Sequence, residues 1–481
     1  MASRDPKRPN VLFIMSDDQG PWAMRCAGNA DIITPALDRI AQSGIRFTNF
    51  FCTSPVCSPA RASLLTGEIP SQHGVHDWIR GGNVGEGRID YLDGHPLITD
   101  HLARQGYRCG LVGKWHLGAS DVPRDGYVKW FAHQSGMSPY YDAPMVDERR
   151  LCAVPGYLTS ELTRVAMTFL DDEAPREAPF WLSLNYTAPH YPWIDSHPRE
   201  FTDLYADCEF ASCPAEPPHP HSAHGNPATD EGHARPRESL IGYFASMTAM
   251  DDGIGEVLDR LERLGLAEST LVIFMSDNGM NCGHHGIWGK SNGTRPQNMY
   301  DTSVKVPCLI AQPGRIPAAR ICDDLLSAYD VLPTLMEYLD VPYTAHRSLP
   351  GHSFASALAG RFGNGADEVC VYDEYGPVRM IRTRSWKYVH RFPDGPHELY
   401  HVAIDADERH NRIGERDAAP TLQALRARLV EWFASFVEPS LDGSCKGVTG
   451  AGQLGLADSG DAAQNFAAKP IEALRIRSGN P

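Results

Sequence analysis

The chain has 481 residues and a formal net charge of −16, with 44 Lys and Arg against 60 Asp and Glu. Such a length suits a large core with a smaller second unit. The acidic balance excludes nucleic acid and anionic membranes as general partners, because both need a basic surface. No apolar run approaches a membrane span. Residues 1–10 are polar and charged, and the apolar run 11–15 is too short for a signal-peptide core, so the expected location is the cytoplasm. The 12 cysteines follow no disulfide-framework spacing, which fits reduced, buried thiols.

Apolar strand-like runs alternate with helical patterns, which predicts an α/β fold with a large, mainly parallel sheet flanked by helices. Residues 11–15 are apolar throughout, as in a central strand covered on both faces. Thr34 and Pro35 open a helix to Gly44, with Leu37, Ile40 and Ala41 on one face. Further strands are expected at 108–112, 180–184, 271–275 and 306–311, and helices near 158–172, 239–264 and 327–339. The segment 205–237, rich in His and Pro, reads as an exposed insertion at the pocket rim. Within and beside it, Cys208, Cys213, His219, His221, His224 and His233 mix zinc-ligand types, but at a spacing that fits no standard site. Past about residue 365 the pattern changes. Short antiparallel strands at 368–375, 378–383 and 386–390 and a helix at 421–437 predict a small C-terminal sheet-plus-helix unit. The expected division is a catalytic unit over 1–365, a small subdomain over 366–442 and a Gly/Ala-rich tail over 443–481. That tail hugs the surface or joins subunits, with disorder as the alternative.

In open α/β sheets, ligands gather beyond the carboxyl ends of the strands. Asp17 and Asp18 follow the first strand, and Lys114, Trp115 and His116 follow the 108–112 strand. His190 lies shortly after 180–184, and Asp277 and Asn278 follow 271–275. Asp and Asn are ordinary turn residues, but four strands sending polar groups to one edge exceeds what turns require. Asp17, Asp18, Asp277 and Asn278 form an oxygen-rich set that suits Ca²⁺ or Mg²⁺ better than zinc. Cys57 stands just before Pro59 at a helix start, and Pro fits a first turn because its missing N–H has no partner there. A nucleophile at that point meets free backbone N–H groups and the positive end of the helix dipole. Arg61 adds a charged fork of donors one turn on, suited to an oxyanion. By itself, Cys57 reads equally well as a buried, inert thiol.

The run Cys57-Ser58-Pro59-Ala60-Arg61, continued through Gly67, resembles the signature of the formylglycine-dependent (type I) sulfatases of the alkaline-phosphatase superfamily. Residues 106–116 resemble the second sulfatase signature, departing at Cys109, where the family usually has Ser or Thr. Pro189-His190-Tyr191-Pro192 is similar to the Pro-His-x-Pro segment, and 283–290 resembles the stretch that carries the second active-site lysine, here Lys290. The matched segments run from Asn10 to about Ala311.

The resemblance implies an alkaline-phosphatase-like fold and a sulfuric ester hydrolase. It implies that a formylglycine-generating enzyme converts Cys57 to an aldehyde whose hydrate attacks sulfur. It implies calcium, with magnesium or manganese as alternatives, held by Asp17, Asp18, Asp277, Asn278 and the residue at Cys57. Arg61, Lys114 and Lys290 then stabilise charge on the sulfate. His190, with Lys290, protonates the departing alcohol, and His116 deprotonates the second hydroxyl so that inorganic sulfate is expelled.

Specificity falls to the surrounding loops. Residues 71–80 are rich in side chains suited to reading hydroxyls or stacking on a sugar ring, which makes His73, His76, Trp78 and Arg80 candidate substrate contacts. His285 is a further candidate, with neighbouring His284 equally able to face the pocket. A carbohydrate sulfate, small or oligomeric, is preferred over an aryl or choline sulfate. The alternatives are a phosphonate monoester or phosphodiester hydrolase of the same superfamily, and a non-catalytic binding protein that keeps the fold. The complete set of Lys114, His116, His190 and Lys290 argues against the latter. A homo-oligomer is left open by the sequence.

Overall fold

In the computed structural model, which describes residues 8–373, 378–460 and 464–467, a ten-stranded sheet organises most of the chain. Its strands are β1 (Asn10–Ser16), β2 (Ile45–Phe47), β3 (Arg108–Gly113), β4 (Tyr127–His133), β5 (Tyr141–Asp147), β6 (Arg150–Tyr157), β7 (Phe180–Asn185), β8 (Thr270–Ser276), β9 (Cys308–Ala311) and β10 (Arg320–Cys322). They lie in the order β10-β2-β9-β8-β1-β7-β3-β4-β5-β6. The central five, β8 to β4, are mutually parallel. Of the expected strands, 306–311 forms only as Cys308–Ala311 and runs antiparallel to β8. The meander β5–β6 beyond β4 is antiparallel and was not legible as strands.

Alternation explains why the central strands are apolar on both faces. Leu12, Ile14, Leu182, Leu184, Val272 and Phe274 face helices α1 (Pro35–Ser43), α3 (Leu158–Glu173) and α4 (Pro236–Arg263), where Leu37, Phe169 and Met250 join the same core. Val11, Phe13, Met15, Ile273 and Met275 face the other way. There they meet Leu64 of α2 (Cys57–Thr66), Leu335 of α5 (Val331–Tyr338) and apolar residues of a second sheet. A strand buried on both faces carries no polar alternation. The helix expected at 327–339 begins with a 3₁₀ turn, Ala328–Asp330, before α5.

The second sheet is antiparallel, with strands β11 (Glu368–Asp373), β12 (Val378–Thr383), β13 (Lys387–Arg391) and β14 (Glu398–Tyr400) in sequence order. Glu374 and Tyr375, the end of the first strand expected there, lie outside the described residues. Helix α6 (Ala419–Phe436) lays Leu425, Leu429 and Phe433 against Ile381, Tyr388 and Leu399 of this sheet. An ion pair ties the second sheet to the 299–301 segment of the large unit: the buried Lys387 Nζ lies 2.5 Å from Asp301 Oδ1 and donates to the Met299 carbonyl at 2.7 Å.

The first part of the tail docks on the large unit. Gln453 is fully buried, and its side chain binds the 74–77 backbone. Residues 461–463 and 468–481 of the expected tail lie outside the described residues. Among the described residues no helix is long and apolar enough to cross a membrane. Among the described residues no disulfide forms, and most of the cysteines are buried.

Candidate active site

Strand register brings the site together. Ser16 pairs with Ser276, and Met15 and Gly113 both pair with Asn185, so β1, β8, β7 and β3 end at one level. The residues just beyond are Asp17 and Asp18, Asp277 and Asn278, and Lys114 to His116. All are buried. Asp18 and His116 turn off their strands with φ of 60° and 58°. A short polar side chain such as Asp tolerates this left-handed conformation. For His116 it is a strained position, of order 1–3 kcal/mol, which the surrounding structure must hold.

Cys57 is the first residue of α2, after an extended Val56, and its thiol is buried among these groups. Cys57 Sγ lies 3.4 Å from Asp17 Oδ1 and accepts from Lys290 Nζ at 3.1 Å. Lys290 Nζ also donates to Asp18 Oδ1 at 2.6 Å and to Asn278 Oδ1 at 3.3 Å. Lys114 Nζ pairs with Asp17 Oδ2. Arg61 donates through Nε to Asp277 Oδ2 at 3.1 Å, and its Nη1 reaches the Lys114 carbonyl at 3.1 Å. Asp277 Oδ1 accepts from the backbone of Asp18 and Asn278.

Charge balance follows from these contacts. Burial pushes the Asp17 carboxyl up, but Lys114, His190, Arg61 and Lys290 outweigh it and hold Asp17 well below the usual range. Asp277 stays above its ordinary value, because burial and repulsion from Asp17 exceed the help from Arg61 and Lys114. Burial, then the Asp17 charge, pushes the Cys57 thiol up to about 12. Burial thus favours the neutral thiol of an unmodified Cys57 over the nucleophilic thiolate.

The donor set fits a hard divalent cation. Asp17, Asp18, Cys57 and His190 offer ligand atoms within 4.8 Å of one another, and Asn278 adds an amide oxygen to the cluster. Lys290 Nζ, ringed by Asp18 Oδ1, Asn278 Oδ1 and Cys57 Sγ, marks where oxygen-rich surroundings accept positive charge. Oxygen donors of this kind suit Ca²⁺ or Mg²⁺.

The two histidines are oriented by carbonyls. His116 Nε2 lies 3.0 Å from the Ile79 carbonyl, and its Nδ1 is buried with no hydrogen-bond partner. Burial, with Lys114 and Arg61 nearby, holds this imidazole well below its ordinary pKa. His190 Nδ1 lies 2.5 Å from the Tyr191 carbonyl, which leaves Nε2 directed to Asp18 Oδ2 at 3.6 Å.

These groups floor a cleft of about 110 Å³ whose walls include Trp78, Met137, Tyr191, Asn226, Pro227, Met280 and Asn292. Of the expected substrate contacts, Trp78 alone reaches it. His73 is buried against Ser63, at 2.9 Å, and His76 is buried beside Tyr372 and Phe466. Arg80 points to the Ala451 carbonyl, and His285 stacks on Tyr300 at 3.8 Å. His284 packs on Trp22 at 4.7 Å, away from the cleft wall. His73, His76, Arg80 and His285 therefore lie off the cleft lining, because loops rich in polar rings can aim them into the protein instead. The 205–237 insertion does reach the rim, through Asn226, Pro227 and Ala228. Its Cys and His residues form no metal-ligand cluster among the described residues.

Sequence reasoning missed His133 and Gly136. His133 ends β4 and bonds Thr187 Oγ1 at 3.2 Å, in the segment leading to His190. A Cβ on Gly136 would sit 1.9 Å from His116 Nε2, so only glycine admits the ring there. The strand-end rule that located the other groups would have reached His133 had β4 been legible.

The family model described as Sulfatase matches residues 9–341, and one for the C-terminal part of N-sulphoglucosamine sulphohydrolase matches 283–434. An ulvan-active sulfatase of Formosa agariphila is 28% identical, the match covering 88% of this chain and 81% of that protein. A choline-sulfatase of Rhizobium meliloti is 31% identical over 87% of this chain and 84% of its own. A solved structure of a protein in complex with its substrate, D-glucosamine-2-N,6-O-disulfate, superposes with a TM-score of 0.76 at 22% identity. That match covers 91% of this chain and all of the other, and it shows the shared fold. With a family match over more than two thirds of its length and a strand-end site of this composition, the chain belongs to the sulfatase family and is a sulfatase enzyme.

Proposed function

We propose that the enzyme hydrolyses a sulfate monoester of a carbohydrate, releasing inorganic sulfate, once Cys57 has been matured to formylglycine. The observation that carries this reading is the convergence of Asp18, Cys57, Lys114, His116, His190 and Lys290 at the floor of one cleft, with Asp17 and Arg61 buried directly behind them. Asp17, Asp18, Asp277 and Asn278 would hold Ca²⁺, with Mg²⁺ or Mn²⁺ as alternatives. The bound cation supplies Lewis-acid polarisation of a sulfate oxygen, and the aldehyde hydrate supplies the nucleophilic hydroxyl.

The chain's own residues do the rest. Lys114, Lys290 and Arg61 place fixed positive charge against the sulfate oxygens in a site closed to bulk water, where such charge acts strongly. Placing residue 57 at a helix start adds the dipole of α2 to that field. His190 Nε2, its other nitrogen engaged by the Tyr191 carbonyl, is the group set to give a proton to the leaving oxygen. His116 Nδ1, unpartnered and held neutral, is the group set to take one.

A second reading concerns the leaving group. The cleft walls contributed by Trp78, Met137, Tyr191, Pro227 and Met280 are mostly apolar or aromatic, and the choline-sulfatase relative is 31% identical. Both favour a compact alkyl or quaternary-ammonium sulfate over an oligosaccharide. Sulfate release from sulfated mono- and oligosaccharides, choline sulfate, an aryl sulfate and an aryl phosphonate tests these readings together. The carbohydrate reading predicts the highest kcat/KM on a sulfated sugar. A preference for choline sulfate selects the second reading, and a preference for the phosphonate overturns both.

A further inference from the structure

Helix α2 carries Cys57 at one end, and a second cluster of ligand-type side chains lies just past its other end. Ten residues of helix place the two about 15 Å apart. Glu68 is fully buried there. Its Oε2 lies 2.8 Å from His95 Nδ1 and its Oε1 lies 2.8 Å from His346 Nε2. The three ligand atoms lie within 4.8 Å of one another.

The proton count of this cluster does not close. Arg347 Nε donates to His346 Nε2 at 3.1 Å, so that nitrogen acts as an acceptor. It then has no proton for Glu68, whose buried Oε1 has no hydrogen-bond donor and keeps only the Arg347 guanidinium, with Nε 3.7 Å away, as a nearby countercharge. Protonating His346 Nε2 satisfies Glu68 but sets two N–H groups against each other. Either arrangement leaves one repulsive contact, and a buried carboxylate oxygen without a hydrogen bond is costly. The Tyr343 hydroxyl, which feels the Glu68 charge, is also buried without a partner. A cation shared by Glu68, His95 and His346 removes the conflict, because all three then present lone pairs to it. Arg347, whose side chain is 34% exposed, can rotate its Nε away from the cluster toward solvent, loosening its Nη1 contact with the Gln72 carbonyl.

We propose that Glu68, His95 and His346 form a binding site for a zinc-class divalent ion, separate from the catalytic cleft. Two imidazoles and one carboxylate suit zinc and its first-row neighbours, whereas calcium and magnesium prefer all-oxygen sets. The ion ties the loops carrying His95 and His346 to the end of α2, which makes its role structural. This inference does not rest on the sulfatase reading.

The test is a Co²⁺ titration of the full chain followed by visible absorption, with Zn²⁺ as competitor. With Ca²⁺ held in excess to occupy the cleft site, wild type and Asp17→Asn should show a Co²⁺ band that saturates near one equivalent and is removed by Zn²⁺. His346→Ala, at an exposed loop position that leaves the core filled, should lose it. Zn²⁺ should raise the unfolding midpoint of wild type and leave that of His346→Ala unchanged. Absence of the band in wild type, its persistence in His346→Ala, or its loss in Asp17→Asn would each overturn the proposal. Glu68→Gln should lose the band as well; should it fail to fold, His346→Ala carries the comparison alone.

Discussion

His116 Nε2 lies 3.0 Å from the Ile79 carbonyl oxygen, and this contact decides which nitrogen is left to act. A carbonyl only accepts, so Nε2 carries the proton of the neutral ring and Nδ1 keeps its lone pair. Replacing His116 with Ala should lower kcat by about 10²- to 10⁴-fold, the usual weight of a positioned acid or base. Because the slowed step follows sulfur transfer, KM should fall with kcat and a burst of alcohol release should precede the steady state. Stopped-flow and steady-state assays on one sulfate ester check this, and an unchanged kcat contradicts the base role.

Gly136 presses on the same ring. Because a Cβ there would fall 1.9 Å from His116 Nε2, Gly136→Ala must displace the imidazole or the loop. The expected result is a kcat loss of tenfold or more with a destabilisation of about 1–3 kcal/mol, the range for overpacking. Denaturant melts and turnover on the same preparation separate the two. Full activity would mean that the position of the ring is unimportant.

Gln453 reaches from the tail to the loop that supplies Ile79 and Trp78. Its side chain accepts from the His76 backbone at 2.9 Å and donates to the Gly74 carbonyl at 2.9 Å, while its backbone N–H donates to the Trp78 carbonyl at 2.8 Å. Gln453→Ala strips buried backbone groups of partners and should cost about 1–3 kcal/mol. It should also lower kcat/KM, since the Trp78 wall and the Ile79 anchor loosen together. A loss of stability with kcat/KM intact would limit the tail to a scaffolding role.

A chelator should abolish turnover, and Ca²⁺ or Mg²⁺ should restore it. A cation held only by the folded state adds stability, about 2.7 kcal/mol at 100 times its Kd, so the unfolding midpoint should fall on chelation. The response to Ca²⁺ should persist in His346→Ala and vanish in Asp17→Asn. Full turnover without divalent metal would exclude the role given to Asp17, Asp18, Asp277 and Asn278.

What was legible in the sequence follows physical lines. Strands buried on both faces appear as continuous apolar runs, so β1, β3, β7 and β8 and the polar residues after them could be read directly. Strand β4 starts with Tyr127 and Val128 partly exposed, and β5 and β6 mix Pro144, Arg150 and exposed positions, which masks their periodicity. Side-chain direction was not legible either. His73 ends a short helix and His76 shares the following loop with Trp78, yet both are buried away from the cleft while Trp78 enters it. The docking of Gln453 joins residues more than 370 apart in sequence, beyond the reach of any local pattern.

The central claim is that Cys57 is a precursor, and it can be weighed directly. Converting its –CH₂SH to –CHO makes the peptide containing residue 57 lighter by about 18 Da and reactive toward carbonyl reagents. Across preparations with different degrees of conversion, sulfatase turnover should rise in proportion to the aldehyde fraction measured by peptide mass spectrometry. A preparation with full turnover and wholly unmodified Cys57 would contradict the account.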